Sequence, residues 1–126
     1  MFRIAAIATL SAAMVAAYAS GAQAAGDAAK GAQIFKRCTI CHTVKAGDPN
    51  RIGPNLHGLF EREAGKAPGF NYTSDLKAAT FKWDDDKLDK WLTNPQAFSP
   101  GATMAFRVSN PQERADVIAY LHDATK

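Results

Sequence analysis

The residues best suited to chemistry lie in one short stretch, CTICH, which runs from Cys38 to His42. Cys38 and Cys41 are the only cysteines of the 126-residue chain, and His42 directly follows the second one. This C-x-x-C-H spacing is the attachment signature of c-type haem, in which two thiols add to the two vinyl groups. The adjacent imidazole is then held beneath the iron. The stretch therefore favours one covalently bound haem c with His42 as an iron ligand.

The same residues could serve three other purposes. In an exported protein the two cysteines could form a disulfide or a thioredoxin-like redox pair. The redox pair expects a βαβ setting, for which the chain shows no pattern. A zinc site could combine Cys38, Cys41, His42 and His57, but a histidine next to a cysteine is poor spacing for a closed four-ligand site. Haem attachment is the favoured interpretation, and these three remain its alternatives.

Met104, in the stretch SPGATMAF, is the only methionine after the first 24 residues. An isolated thioether ordinarily fills a gap in a core, so Met104 gains a functional meaning only beside a haem. Iron bound on one face by His42 needs a second axial ligand, and His/Met ligation is one established solution. The competing ligands are His57, which we expect to be engaged with backbone, and His122, which we expect to be partly exposed. We predict Met104 as the second ligand.

The first 24 residues differ in composition from the rest of the chain. Arg3 is followed by an uncharged apolar run and by small residues that end at Ala24, which is the pattern of a cleavable secretory signal. The alternative is a retained anchor, since the uncharged stretch is just long enough to span a bilayer. We predict a signal peptide over residues 1–24 and one domain over residues 25–126, without stable membrane insertion.

The charge balance limits the classes of partner. The formal net charge is +3, and it falls to +2 without Arg3. This excess is too mild to argue for nucleic acid, and no basic run with interleaved aromatic residues occurs. We therefore expect no nucleic-acid partner.

Helical signals dominate the predicted domain. They cover residues 27–37, 74–79, 83–93 and 110–126. The interval 43–82 is rich in Gly, Pro, Asn and Thr and shows no strand alternation. Asn94 and Pro95 are expected to end the third helix. The fold class is therefore all-α, with three to five helices joined by long loops.

A glycine within the first helical pattern predicts how two helices meet. Gly31 lies four residues before Phe35 and so on the same apolar side. A glycine inside a helix costs about 1 kcal/mol relative to alanine, so a close approach by another element would explain its presence. We predict that the last helix crosses the first one at Gly31.

Many large aromatic residues fall in segments without a regular pattern or in the third helix. They are Phe60, Phe70, Tyr72, Phe81, Trp83, Trp91, Phe98 and Phe106. Long loops in a small domain are uncommon unless they are functional or pack on something. The pattern indicates loops that wrap a body other than polypeptide, in agreement with the haem interpretation.

An ordered series of motifs runs from about Gly31 to Lys126. It comprises CTICHT, GPNLHGLF, GFNYT, Trp83, NP at Asn94–Pro95, PGATMAF and ERADVIAYL. In this order the motifs resemble those of class I cytochromes c, the short soluble kind found in the bacterial periplasm and in mitochondria. The resemblance implies the cytochrome c fold, with helices and long loops around one covalently attached haem. The predicted signal peptide favours the bacterial branch.

The resemblance also implies roles for residues around the haem. The backbone carbonyl of Pro54 would accept the outer N–H of His42 and fix the ring. Phe106 would lie near the exposed haem edge. Three side chains would surround the haem propionates: Arg62, Tyr72 and Trp83.

The chain departs from the family pattern near Met104. Trp91 stands where a tyrosine often faces the methionine sulfur, and Leu76 replaces an asparagine that is often found beside a buried water. Ala102 and Thr103 replace the usual Thr-Lys, which puts one propionate hydrogen bond and one lysine in doubt. We expect the ligation by Met104 to survive these changes.

The function implied by the resemblance is that of a one-electron carrier rather than an enzyme. Axial ligands on both faces of the iron leave no open position for a substrate, so we expect outer-sphere transfer through the exposed haem edge. The carrier is expected to be a periplasmic monomer whose partner is a bc-type complex, an oxidase, a reaction centre or a dehydrogenase. The alternative, a peroxidase-like or gas-binding haem protein, requires that Met104 leave the iron easily.

Docking is expected to depend on charge less than in strongly basic relatives. The family commonly surrounds the haem edge with lysines. Here the candidate cations are Lys36, Arg37, Arg51 and Arg107, and uncharged residues stand where lysines are frequent at Gln96, Ala97 and Thr103. We predict weaker docking with a weaker dependence on salt.

Overall fold

The computed structural model describes residues 25–126, and the predicted signal peptide lies outside this range. The helices of the described range are α1 (Ala28–Phe35), α2 (Ser74–Lys77), α3 (Asp85–Thr93), α4 (Pro95–Phe98) and α5 (Pro111–Ala124). The only strand-like pairing among these residues is an isolated bridge between Glu63 and Lys82. The prediction of an all-α fold is therefore confirmed. None of the helices in residues 25–126 has the length and apolar character that a membrane crossing needs.

Side-chain caps determine where the three longer helices begin. Asp27, Asp84 and Asn110 directly precede α1, α3 and α5, and the side-chain oxygen of each accepts a hydrogen bond from a backbone N–H of the first turn. Such a cap contributes about 1 kcal/mol to helix stability. Because α1 and α3 have only eight and nine residues, they depend on these caps and on tertiary packing.

Helices α1 and α5 cross at Gly31, as predicted. A Cβ atom at this position would lie 1.9 Å from the backbone oxygen of Asp116 and 2.8 Å from the Cβ of Tyr120. Only a glycine permits this approach. The buried Asp116 side chain adds a hydrogen bond across the crossing, accepting the backbone N–H of Asp27 at 2.8 Å. The crossing fixes the end of α1, from which the reactive stretch follows.

Asn94 and Pro95 end the third helix as predicted, and they also begin the next one. Asn94 follows the last residue of α3, and its side chain also caps α4, accepting the backbone N–H of Ala97 at 3.3 Å. Pro95 is the first residue of α4, where its missing N–H removes no helical hydrogen bond. The chain therefore turns and starts a new helix close to Met104.

An apolar cluster of the described residues lies between α1, α3 and α5. Its buried members are Phe35, Leu59, Leu88, Leu92, Val108, Val117, Ile118 and Leu121. Met104, Trp83, Trp91 and Cys38 are partly buried and pack against its margin. The candidate haem residues therefore line the edge of the core.

Candidate haem site

The CTICH stretch forms hydrogen-bonded turns directly after α1. Helix α1 was predicted to reach Arg37 but ends at Phe35, and the backbone N–H of Cys38 still bonds to the Phe35 oxygen at 2.8 Å. The N–H groups of Cys41 and His42 both bond to the Cys38 oxygen, at 3.0 and 2.9 Å. These turns bring the two cysteines and the histidine together on one short piece of backbone.

Both cysteines are free thiols of intermediate burial. Burial raises the pKa of the Cys38 thiol, and the nearby Arg37 guanidinium opposes this effect only partly. In the described range no group of three or more His, Cys, Asp and Glu side chains could hold a metal ion. The zinc alternative therefore finds no four-ligand site among residues 25–126.

The His42 ring is oriented by the loop that follows it. Its Nδ1 lies 2.8 Å from the backbone oxygen of Pro54, and because a carbonyl only accepts, Nδ1 carries the proton. A Cβ atom on Gly53 would lie 2.3 Å from Cε1 of the ring, so the backbone packs closely against the imidazole. Burial lowers the pKa of His42, and the hydrogen bond to Pro54 opposes this shift. The neutral ring keeps the Nε2 lone pair for a metal.

Met104 lies in the irregular segment between α4 and α5, and two side chains hold it. The indole Nε1–H of Trp91 donates to the Met104 sulfur at 3.3 Å. The Gln96 amide Nε2 donates to the backbone oxygen of Met104 at 2.9 Å and to that of Ala102 at 3.3 Å. The sequence indicated Gln96 only as an uncharged residue in place of a lysine, and no local pattern indicated this contact.

Trp83 and Trp91 belong to a group of four aromatic rings. The ring centroids of Trp83 and Trp91 are 5.5 Å apart, and Phe98 stacks on Trp83 at 5.5 Å and 28°. Phe81 meets the edges of Trp83 and Phe98. Edge and offset arrangements of this kind add about 0.5–1.5 kcal/mol per pair to simple burial. The group fixes the indole ring that contacts the Met104 sulfur.

Arg62 and Tyr72 form a polar region. The Arg62 guanidinium donates to the backbone oxygens of Asn55, at 2.7 Å, and His57. The Tyr72 hydroxyl accepts the backbone N–H of Ala67 at 3.1 Å. Burial raises the pKa of Tyr72, while the Ala67 and Arg62 contacts oppose the shift. Tyr72 therefore keeps its proton as a hydrogen-bond donor.

A buried hydroxyl next to Tyr72 lacks a partner. The Oγ1 atom of Thr73 makes no hydrogen bond within the part of the chain that the structure describes. A buried polar group without a partner is costly, so an acceptor at this place would stabilise the fold. A haem propionate is such an acceptor, and the residues present therefore fit the group. Thr73 is the last residue of the GFNYT motif, and its type and position alone predicted no role for it.

Phe106 lies at the surface, close to the CTICH turn. Its side chain is 39% exposed, and the Arg37 guanidinium lies 5.7 Å from its ring centroid. Two more apolar residues are exposed, Ile40 within the attachment stretch at 72% and Ile52 at 77% exposure. Arg51 is tied to this stretch because its guanidinium donates to the Thr39 oxygen at 2.7 Å.

His122, one of the competing ligands, is engaged elsewhere. Its ring stacks on Phe60 with centroids 3.8 Å apart, and its Nε2 lies 2.5 Å from an Asp85 carboxylate oxygen. The side chain is half-exposed, as the sequence predicted. These contacts place His122 against the start of α3, and not beside Met104.

Known proteins resemble the chain over the same range. A sequence-family model described as cytochrome c matches residues 28–125. Cytochrome c of Arabidopsis thaliana is 48% identical over 103 residues, which cover 80% of this chain and 92% of that protein. Cytochrome c of Stellaria longipes is 48% identical over 103 residues, 80% of this chain and 95% of that protein.

A bacterial relative matches more of the chain. Cytochrome c2 of Rhodomicrobium vannielii is 46% identical over 116 residues, which cover 91% of each protein. The family model covers the cysteine pair, His42 and the helices that position them. The chain therefore belongs to the cytochrome c family, as a class I c-type cytochrome with an all-α fold, one covalently attached haem c and the role of an electron carrier.

Proposed function

We propose that this protein is a periplasmic one-electron carrier in which His42 and Met104 are the two axial ligands of the haem iron. When bound, the haem supplies iron that alternates between the ferrous and ferric states. Cys38 and Cys41 attach it covalently. The main support is that a hydrogen bond orients each ligand side chain. His42 donates to the Pro54 oxygen, and Met104 accepts from the Trp91 indole.

Ligand side chains that are fixed by hydrogen bonds suit electron transfer because they rearrange little when the iron changes its oxidation state. The Pro54 oxygen fixes the tautomer and direction of His42, which leaves Nε2 as the donor atom. The Trp91 N–H donates a hydrogen bond to one lone pair of the Met104 sulfur, so the other lone pair is free to bind iron. With both positions filled by protein side chains, no residue has to act as acid, base or nucleophile.

The polar region would bind the haem propionates. Tyr72 and Thr73 supply hydroxyl donors, and the Arg62 guanidinium supplies positive charge beside Tyr72. Trp83 packs against the apolar cluster and is proposed to complete this group. Charge-assisted hydrogen bonds of this kind offset the cost of burying carboxylates.

The proposed partner surface combines exposed apolar residues with arginines. Ile40, Ile52 and Phe106 provide the apolar centre, and Arg37 and Arg51 lie beside them. A partner with an apolar contact site bordered by carboxylates would complement this surface. The proposed classes are a bc-type complex, an oxidase, a reaction centre or a dehydrogenase, each met by the carrier as a monomer.

The extent of the bacterial match supports export to the periplasm. The cytochrome c2 match covers 91% of the chain, whereas residues 25–126 make up only 102 of its 126 residues. That match must therefore include part of the predicted signal peptide. The plant matches cover 80% of the chain, which the predicted mature domain alone can accommodate.

The test uses holoprotein purified from the periplasm, beside a Met104→Leu variant that keeps the size and loses the sulfur. We expect a haem-sized mass increment, a reversible one-electron titration, and the weak red band of methionine-bound ferric iron in the wild type only. Peroxide turnover should be negligible in the wild type and rise in Met104→Leu, because that variant opens one axial position. A wild type without the band that turns over peroxide as fast as the variant would instead establish the peroxidase-like alternative.

A further inference from the structure

We propose that Gln96 is a positioning residue for Met104, and that its side-chain amide determines how readily Met104 leaves the iron. The inference depends on the proposed ligation by Met104 and adds the residue that controls it. Gln96 acts on the backbone of the ligand loop, defined as residues 99–107.

The main chain around Met104 has almost no other support. The turn at the start of the ligand loop is closed by the Ala102 N–H, which bonds to the Ser99 oxygen at 2.9 Å. The next backbone bond joins the Val108 N–H to the Leu92 oxygen at 2.8 Å. Among the described residues, the Gln96 amide makes the only hydrogen bond to the main chain of residues 103–107.

The Gln96 amide lies where two carbonyl groups converge. Its Nε2 donates to the Met104 oxygen at 2.9 Å and to the Ala102 oxygen at 3.3 Å. An amide nitrogen carries two N–H donors, so one Gln96 side chain can satisfy both acceptors. These contacts join the backbone on either side of Thr103, and the side chain therefore holds the loop at the ligand itself.

The backbone of Gln96 is well placed to serve as an anchor. Gln96 is the second residue of α4, after Pro95, which is fully buried, and after the Asn94 cap. The Trp91 N–H holds the sulfur of Met104, while Gln96 holds its carbonyl. Met104 is therefore fixed at both ends by neutral donors.

Loss of the Gln96 donors should free the ligand loop without unfolding the protein. Each hydrogen bond contributes modestly to stability, and two of them correspond to a change on the order of tenfold in an equilibrium. Exogenous imidazole competes with Met104 for ferric iron, so its apparent affinity reports how easily Met104 leaves. The proposal predicts tighter imidazole binding when the amide is removed.

The chain contains a matched control. The tripeptide Asn-Pro-Gln occurs at residues 94–96 and again at residues 110–112, each time with a capping asparagine and a proline at the first helical position. Gln112 donates to an Asp116 carboxylate oxygen at 3.0 Å, away from the ligand loop. Gln112→Met therefore removes a glutamine amide from the same helical position without touching the ligand loop.

The experiment titrates imidazole into ferric holoprotein of the wild type, Gln96→Met, Gln96→Glu and Gln112→Met, and follows loss of the red methionine band. Denaturant unfolding of the same samples reports overall stability. Gln96→Met keeps the side-chain length and loses both donors, and Gln96→Glu places acceptors against two carbonyl oxygens. We expect imidazole affinity to rise on the order of tenfold in Gln96→Met and further in Gln96→Glu, and to stay unchanged in Gln112→Met.

Unchanged affinity in both Gln96 variants, with the methionine band intact, would overturn the positioning role and leave the proposed function standing. An equal rise in Gln112→Met would overturn it too, because the effect would then follow stability in general. A wild type that lacks the methionine band would overturn Met104 ligation and this inference with it.

Discussion

The two proposed axial ligands, His42 and Met104, are held in different ways. The His42 side is fixed by main chain, because the Pro54 oxygen bonds the ring and the backbone at Gly53 packs against it. The Met104 side is fixed by two side chains, Trp91 and Gln96. A single substitution can remove a side-chain contact, whereas any residue at position 54 offers a backbone oxygen. Variation in ligand strength is therefore expected on the methionine side.

Backbone-to-backbone hydrogen bonds also distinguish the histidine side from the methionine side. On the histidine side the N–H of Gly53 bonds to the Cys41 oxygen at 2.9 Å, and the N–H of Leu56 bonds to the Thr43 oxygen at 2.8 Å. In residues 103–107 the described structure has no backbone-to-backbone bond. Local stability tracks such contacts, so the ligand loop is expected to open more easily.

The largest predicted effect compares glycines on the two sides. In Gly53→Ala the new methyl group would lie 2.3 Å from the His42 ring, so ring or backbone must move, and we expect a loss of about 3 kcal/mol in the free energy of unfolding. Gly101→Ala, in the ligand loop, meets no atom within 4 Å and has only the strain of φ +91°, about 1 kcal/mol. Denaturant unfolding and holoprotein yield measure both. Equal losses would contradict the difference between the two sides.

The next prediction concerns the sulfur contact. Trp91→Phe keeps a ring in the aromatic group but removes the N–H that withdraws electron density from the Met104 sulfur. The stronger sulfur donor favours ferric iron, so we expect the reduction potential to fall by about 20–40 mV, equivalent to roughly 0.5–1 kcal/mol for one electron. Phe98→Leu, which disturbs the same aromatic group without removing an N–H, serves as the control. A rise in potential, or the same fall in both variants, would refute the role of the Trp91 N–H.

The proposed partner surface, with its apolar centre and neighbouring arginines, should make docking only moderately sensitive to salt. Arg37 is already paired with Glu113 at 3.3 Å, and much of the contact area at Ile40 and Ile52 is apolar. We expect Ile40→Ser to lower the rate of reduction by flavodoxin, an acidic redox protein, severalfold at all ionic strengths, since the loss is apolar. Stopped-flow kinetics over a salt series measure it. A wild-type rate that fell as steeply with salt as that of a strongly basic carrier would contradict the prediction.

The smallest effect is confined to acid and belongs to the α1–α5 crossing. Hydrogen bonds from the Asp27 N–H and the Gln112 amide hold the pKa of Asp116 below its ordinary value of 3.8. A pKa that is lowered in the folded state stabilises the fold above the unfolded value, and this stability is lost as pH falls through the folded value. Unfolding free energy should therefore decline below about pH 4 more steeply in the wild type than in Asp116→Asn. Parallel curves would show that Asp116 carries no such linkage.

Much of the site could be predicted from the sequence because its chemistry is local or nearly so. The attachment motif lies within five residues, and the single methionine of the domain left one thioether candidate. The crossing at Gly31 followed from a glycine on an apolar helix face. The orientation of His42 by Pro54 came from family resemblance, and no helix or charge pattern would have indicated it.

The remaining features depend on tertiary placement that the local pattern does not contain. Asn94–Pro95 predicts the end of a helix and Asn110–Pro111 predicts the start of one, yet a helix begins after the asparagine in both places. The repeat was visible in the sequence and could have indicated α4. The amide of Gln96 and the hydroxyl of Thr73 gain their meaning only from carbonyl groups and burial supplied by distant segments.

Amide hydrogen exchange in ferric holoprotein, with and without imidazole, tests the difference between the two sides most directly. The informative amides are hydrogen-bonded ones, Ala102 in the ligand loop and Gly53 and Leu56 on the histidine side. We predict that imidazole, once it replaces Met104, accelerates exchange at Ala102 and leaves Gly53 and Leu56 unchanged. Equal acceleration at all three amides, or none at Ala102 after the methionine band is lost, would contradict the account.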